Sequence, residues 1–333
     1  WISDKTRYSC DGLKNQRLDT PYFKKGDRFS KIEWNLAYKI LSEKIKETAP
    51  NKIAGITGDL SNMETLYIVK EFFNKTIKSK NLDCRTQNLY INNNDRRNYL
   101  FNSTINGIEE SDLILLIGTN PRYEATILNA RIRKSYVNNN TEVYSIGEVG
   151  DLTYPYINLE SNTNIIKEIV SNNHDISKKI INAKKPIIIF GESLLNLKSG
   201  KFVFEEIKNF LLTNNKITDD WNALNLISQS ASNVGSYDLN LFSDSNGANK
   251  VLNDLKAENI DLLFLFGQDD LKFNKKNEFV VYIGSHGDKG ASQANLILPG
   301  SAFTEQNGHF TNLEGKLQKS FKASYPPGEA KED

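Results

Sequence analysis

Short unbroken apolar runs recur along the chain, at Lys52–Gly55, Leu113–Ile117, Val143–Ile146, Pro186–Phe190, Leu262–Phe266, Phe279–Ile283 and Leu296–Leu298. Runs without polar alternation suit parallel strands covered on both faces, since neither face has to meet water. Between them apolar residues return at helical spacing. Ala37, Ile40, Leu41 and Ile45 share one face, as do Leu66, Val69, Phe73 and Ile77 in a helix expected over Glu64–Lys78. Further stripes are Val203, Ile207, Phe210 and Leu211, then Val251, Leu252 and Leu255. Strand–helix alternation of this kind predicts a doubly wound α/β fold. The first thirty residues carry no comparable period and are expected to form an irregular or β-rich leading segment.

A chain of 333 residues exceeds the size at which one core usually stops growing, so two intimate lobes are expected. Lys and Arg number 42 against 41 Asp and Glu, and this near-balance gives no electrostatic reason to expect nucleic acid or an anionic membrane as partner. Only the first 31 residues are locally basic, with Lys5, Arg7, Lys14, Arg17, Lys24, Lys25, Arg28 and Lys31 against Asp4, Asp11, Asp19 and Asp27. That cluster reads as a solvated face or as a docking surface for an acidic neighbour. No apolar run reaches the ~18 residues that span a bilayer, so direct membrane insertion is not expected.

Two cysteines, Cys10 and Cys84, cannot make a disulfide framework or an all-cysteine cluster. The three histidines, His174, His286 and His309, lack zinc-ligand spacing, although the loops of His286 and His309 could approach each other. GxGxxG, Walker A and GxSxG patterns are absent, which argues against an ordinary nicotinamide, ATP or serine-hydrolase site. The acidic pairs Glu109-Glu110 and Asp269-Asp270 read as solvated charge.

The stretch DLILLIGTNPRYEATILNARIRK, Asp112 to Lys134, is strand, tight turn, then helix. Open α/β sheets hold ligands outside the carboxyl ends of their strands, against helix N-termini. Gly118 would allow close backbone approach, Thr119 or Asn120 could hydrogen-bond a ligand, and Pro121 suits a first helical turn. The bland reading is a turn that holds nothing. The unit LLFLFGQD, Leu262 to Asp269, rhymes loosely with LILLIGTN.

The segment NLILPGSAFTEQNGHFTNLEGKLQ, Asn295 to Gln318, carries Pro299-Gly300, Glu305, Asn307-Gly308, Asn312 and Glu314-Gly315 at fixed offsets. It resembles the signature of the molybdopterin oxidoreductase superfamily, whose loop closes over the cofactor cleft. Asn-Pro-Arg with Asn-Ala-Arg-Ile-Arg-Lys, the stretches Trp1–Pro21, Lys184–Leu195 and Trp221–Asn240, and Val280–Gly300 resemble one branch of it. That branch is the large iron–sulfur subunit of respiratory NADH–quinone oxidoreductase (complex I). The resemblance spans nearly the whole chain in family order.

The resemblance implies two dinucleotide-binding-like lobes around a cleft, one inserted in the other. Residues 106–182 would be the inserted lobe, 31–105 with 183–325 the discontinuous one, 1–30 the leading segment and 326–333 a tail. It implies a vestigial cleft near Gly118, Thr119, Asn120, His286, Glu305 and Asn312, with no catalytic residue and no cofactor held here. Cys84 stands roughly where working molybdopterin enzymes place a metal ligand, and is the weak candidate for one. The chain reads as an internal piece of a longer polypeptide whose iron–sulfur clusters lie upstream. The implied role is a structural module bracing that region among the other peripheral-arm subunits, at the cytoplasmic face of a bacterial inner membrane. Two alternatives are the catalytic large subunit of an active molybdopterin-dependent oxidoreductase, formate dehydrogenase-like, and an independent α/β enzyme that binds a free nucleotide.

Overall fold

The computed structural model describes residues 2–243 and 249–332, so Trp1 of the leading segment and Asp333 of the tail lie outside the described residues. In chain order the strands are β1 (Tyr22–Lys25), β2 (Arg28–Lys31), β3 (Ile53–Thr57), β4 (Leu82–Asp83), β5 (Leu113–Ile117), β6 (Glu142–Ile146) and β7 (Ile157–Glu160). They continue with β8 (Pro186–Gly191), β9 (Leu224–Ile227), β10 (Leu262–Phe266), β11 (Phe279–Gly284), β12 (Leu296–Pro299), β13 (Gly308–Thr311) and β14 (Leu317–Ser320).

They form two sheets and a hairpin. The larger sheet has the order β2-β1-β12-β11-β10-β3-β4, the smaller β7-β6-β5-β8-β9, and β13 pairs with β14. The smaller sheet is parallel throughout. The larger one is parallel from β12 to β4, and the hairpin β1–β2 extends it antiparallel along β12. Every residue of β3, β5, β8, β9, β10 and β12 is buried, as continuous apolar runs covered on both faces require.

Strand pairing corrects the lobe boundary expected at 182. β8 lies in register beside β5, with Leu113 opposite Pro186, and β9 follows β8. The smaller sheet therefore runs on to Ile227, because β5 is central and its second edge needs a partner. β9 escaped the apolar pattern because Asn225 interrupts it. The buried Asn225 amide is satisfied locally: its Oδ1 accepts from the Ser103 amide at 2.8 Å, and its Nδ2 donates to Ser103 Oγ and the Ala223 carbonyl, each at 2.9 Å.

Helices cover both sheets. Val203, Ile207, Phe210 and Leu211 are all buried on Gly200–Thr213, and Leu66, Val69, Phe73 and Ile77 are buried as one stripe. That second stripe spans two geometries, an α-helix Met63–Glu71 and a π-helical run Phe72–Ile77 closed by Lys78 at φ 61°. Asn62 caps the start, its Oδ1 accepting from the Thr65 amide at 2.8 Å.

The rhyme between LILLIGTN and LLFLFGQD has a structural counterpart. Gly118 after β5 and Gly267 after β10 both take positive φ, +58° and +62°, which glycine adopts without a Cβ penalty. Each carbonyl then presses against a second glycine at the end of the neighbouring strand. A Cβ on Gly191 would lie 2.1 Å from the Gly118 oxygen, and one on Gly58 1.9 Å from the Gly267 oxygen. The same device closes the carboxyl end of both sheets.

Candidate functional site

The carboxyl ends of β3, β4, β8, β9 and β10 converge on a cleft of about 580 Å³ between the sheets. Parallel strands place their connecting loops at that edge, which is where open α/β folds receive ligands. The seam beside it is fixed by Ser232, whose Oγ donates to the Gly58 carbonyl at 2.8 Å and whose amide donates to the Asp59 carbonyl at 3.1 Å. The walls carry Asp59, Cys84, Arg85, Glu192, Gln229, Ser230, Tyr237, Asp270 and Lys272.

The electrostatics of this lining are acidic. Glu192 is half-buried, and burial pushes its carboxyl up to about 7. Donation to its Oε1 from the Gln229 amide (3.1 Å) and Asn233 Nδ2 (2.9 Å) offsets part of that effect, while Asp59 and Glu124 add to it. Burial also raises Asp59, with a smaller contribution from Asp270. The one buried base, Arg85, has its charge matched by Asp83, with Nε to Oδ1 at 2.9 Å and Nη2 to Oδ2 at 2.8 Å. Its Nη1 donates to the Leu89 carbonyl at 2.8 Å. Burial, reinforced by Asp83, pushes the Cys84 thiol well above its ordinary range. Tyr237 is 2% exposed and lines the cleft, and its hydroxyl has no hydrogen-bond partner among the described residues.

Of the site candidates named from sequence, only Cys84 lines this cleft, joined by Asp270 of the acidic pair read as solvated. Thr119 Oγ1 donates to Glu124 Oε2 at 2.9 Å, the Asn120 amide to Glu124 Oε1 at 2.8 Å, and Asn120 Nδ2 to the Val149 carbonyl at 2.6 Å. The backbone of Gly118 packs against Leu194. Thus the Gly-Thr-Asn turn spends its polar groups on its own helix and neighbours.

Glu305 and His286 belong to another cluster. Both oxygens of Glu305 accept from Arg17, Oε1 from Nη1 and Oε2 from Nη2 at 2.5 Å each, and Arg17 forms a β-bridge with His286. His286 Nδ1 meets Ser285 Oγ at 2.9 Å. His309 bonds Glu64 Oε1 at 2.5 Å instead, so the two loop histidines have separate partners. Asn312 shapes the β13–β14 turn, its Oδ1 accepting from the Glu314 amide at 3.0 Å and the Lys316 amide at 2.9 Å. No group of three His, Cys, Asp or Glu side chains among the described residues could hold a metal ion.

Sequence reasoning missed Asp59, Glu192 and Tyr237. Asp270, read as solvated, is exposed but stands at the cleft, while Asp269 accepts from Tyr282 Oη at 3.0 Å and the Gly290 amide at 2.9 Å. The available signal was topological: Asp59, Glu192 and Asp270 each follow a buried strand within a few residues.

A family model described as molybdopterin oxidoreductase matches residues 17–333. The chain is 39% identical over its whole length to the NADH-ubiquinone oxidoreductase 75 kDa subunit of Reclinomonas americana, covering 50% of that protein. It is 40% identical over its whole length to an NADH-quinone oxidoreductase subunit of Rickettsia bellii, covering 48%. The chain thus spans about half the length of the curated relatives it matches. Among solved structures, it superposes on a chain of the formyltransferase/hydrolase complex of Methylorubrum extorquens with a TM-score of 0.65 at 12% identity, covering 94% of this chain and 95% of that one. Acetylene hydratase from Pelobacter acetylenicus gives 0.58 at 13%, covering 98% of this chain and 61% of that one. At such low identity these superpositions speak to the fold alone.

Proposed function

Because the chain belongs to the molybdopterin oxidoreductase family, and its curated relatives are subunits of NADH–quinone oxidoreductase, the 75 kDa subunit among them, we propose that it is a structural module of that complex's electron-input arm. In this reading it braces the iron–sulfur region that passes electrons from NADH toward quinone. The clusters sit in a part of the full polypeptide outside this chain, and the chain itself is non-catalytic. Its partners are other peripheral-arm subunits, at the cytoplasmic face of a bacterial inner membrane. No helix among the described residues is long and apolar enough to cross a membrane, which is compatible with a peripheral position.

The observation that carries this reading is how the signature residues are used. Glu305 ties the Pro-Gly loop to Arg17, Asn312 closes a hairpin turn, and Glu314 Oε1 accepts from the Ile105 amide at 2.8 Å. Each joins or shapes backbone, and none presents a free group to the cleft. The cofactor implied by the family is a polyanion built on phosphate and pterin, and the residues here do not fit it. Three acidic side chains, Asp59, Glu192 and Asp270, line the cavity, and the guanidinium of Arg85 is matched by Asp83. A polyanion brought there would meet like charge.

The test is deletion of residues 31–325 from the full polypeptide in the cells that express it. Native gels and NADH–quinone turnover in isolated membranes should both show loss of the assembled complex. Wild-type assembly and turnover in the deletion strain would sink the proposal. So would near-stoichiometric molybdenum in the purified intact protein.

A further inference from the structure

The connection from β10 to β11 departs from the rest of the larger sheet. Parallel neighbours are usually joined by a covering helix, and β3–β4 and β11–β12 follow that rule with Met63–Glu71 and Lys289–Gln293. Residues 267–278 cross from β10 to β11 with no helix at all. The layer over this face is therefore thin. Between the crossover and the short helices Lys250–Lys256 and Lys289–Gln293 it leaves a cavity of about 530 Å³. Leu252 and Leu271 lie buried at its base, whereas Leu255 and Phe273 stay half-buried at the margin of the core beneath. A cavity of this size with an apolar floor is of the kind that receives a small molecule.

The charge around it is unequal. Lys256, Lys272 and Lys289 line the cavity, and none of the three ammonium groups has a hydrogen bond, ion pair or ring contact among the described residues. A fourth lysine, Lys276, is paired with Glu258. On the acidic side, Asp269 has spent both oxygens, Oδ2 on Tyr282 Oη at 3.0 Å and Oδ1 on the Gly290 amide at 2.9 Å. Asp270 is the one open carboxylate, and it stands where this cavity meets the cleft, since it lines both. Three unmatched cations over an apolar floor favour an anion with an apolar body. Phosphate fits less well, because the lining has no arginine to grip it and no glycine to bring backbone amides close.

We propose that this cavity binds a small monocarboxylate with an alkyl body, the alkyl chain lying on Leu255 and Phe273 and the carboxylate reaching the unpaired lysines. The site is built from this chain alone, so it stands whether or not the chain braces a complex.

Titration calorimetry of the full-length protein with octanoate tests it, with octanol, octylammonium and inorganic phosphate as comparisons. Octanoate is expected to saturate one site per chain, and each methylene added between hexanoate and decanoate to tighten binding about threefold. Acetylation of the native protein followed by peptide mapping should show octanoate protecting Lys256, Lys272 and Lys289 but not the exposed Lys5 and Lys14. Replacing the three cavity lysines together, Lys256→Gln, Lys272→Gln and Lys289→Gln, should weaken octanoate about tenfold and leave octanol unchanged. If that variant fails to fold, the protection pattern in wild type still decides. Absence of saturable heat, octanol, octylammonium or phosphate binding as tightly as octanoate, or protection of lysines outside the cavity in place of these three would each overturn the proposal.

Discussion

Arg17 and Glu305 stand 288 residues apart in the chain and meet in a two-pronged ion pair, with the guanidinium side chain 14% and the carboxylate side chain 4% exposed. The pair joins the leading segment to the loop after β12. Glu305 also accepts from the Ala302 amide at 2.9 Å, so its carboxylate is fully engaged. Arg17→Met should cost about 3 kcal/mol, because it strands a buried charge, whereas Arg17→Met with Glu305→Met should recover much of the loss. Urea unfolding of the two variants checks this, and equal midpoints for wild type and Arg17→Met would contradict it.

The same pair sets an acid limit. Burial works to raise the Glu305 carboxyl, but Arg17 and the Ala302 amide outweigh it and hold the group below its ordinary value of 4.5. Its contribution is therefore complete above the unfolded value and lost as pH falls through the lower folded one. Unfolding free energy should drop below pH 4.5 more steeply in wild type than in the double Met variant.

Glu192 acts with the opposite sign. Burial raises it to about 7, so the folded chain keeps a proton that the unfolded chain releases near 4.5. Its contribution is present below 4.5 and is lost as pH rises through about 7. Discounting for its contact with cleft water, Glu192→Gln should gain on the order of 2 kcal/mol at pH 8 relative to pH 4.5. Glutamine can still accept from the Gln229 amide and Asn233. A pH series of urea midpoints tests this, and parallel curves for wild type and variant would refute it.

Gly58 and Gly191 fit against the Gly267 and Gly118 carbonyls, where a methyl group has no space. Gly58→Ala and Gly191→Ala should each destabilise by about 2 kcal/mol through forced separation of the strand ends. Gly12→Ala, with nothing within 4 Å of its Cβ position, should change little. Thermal melting of the three variants separates close packing from a general intolerance of alanine.

Cys10 is exposed and Cys84 buried. Iodoacetamide should label Cys10 in the native protein and reach Cys84 only after unfolding, since alkylation needs an accessible thiolate. Peptide mapping reads both sites, and rapid native labelling of Cys84 would mean that the cleft opens.

The sequence by itself determined most of the buried strands, the amphipathic helices and the fold class. The run Leu113–Ile117 admits little but a strand covered on both faces, and Val203, Ile207, Phe210 and Leu211 share a stripe only in a helix; both are local periodicities. The Asn295–Gln318 signature likewise marked the family from offsets within one segment. Only the tertiary structure decided where the lobes divide, because β8 looks like any other strand, and β9 like none, until β5 offers an edge. It alone placed Asp59, Glu192, Tyr237 and Asp270 around one cavity, since each looks like a loop acid or a core aromatic in isolation. It also assigned Glu305 to Arg17 and Asn312 to its own turn. Charge pairing and burial are relations across hundreds of residues of chain, fixed by packing; no local pattern encodes them.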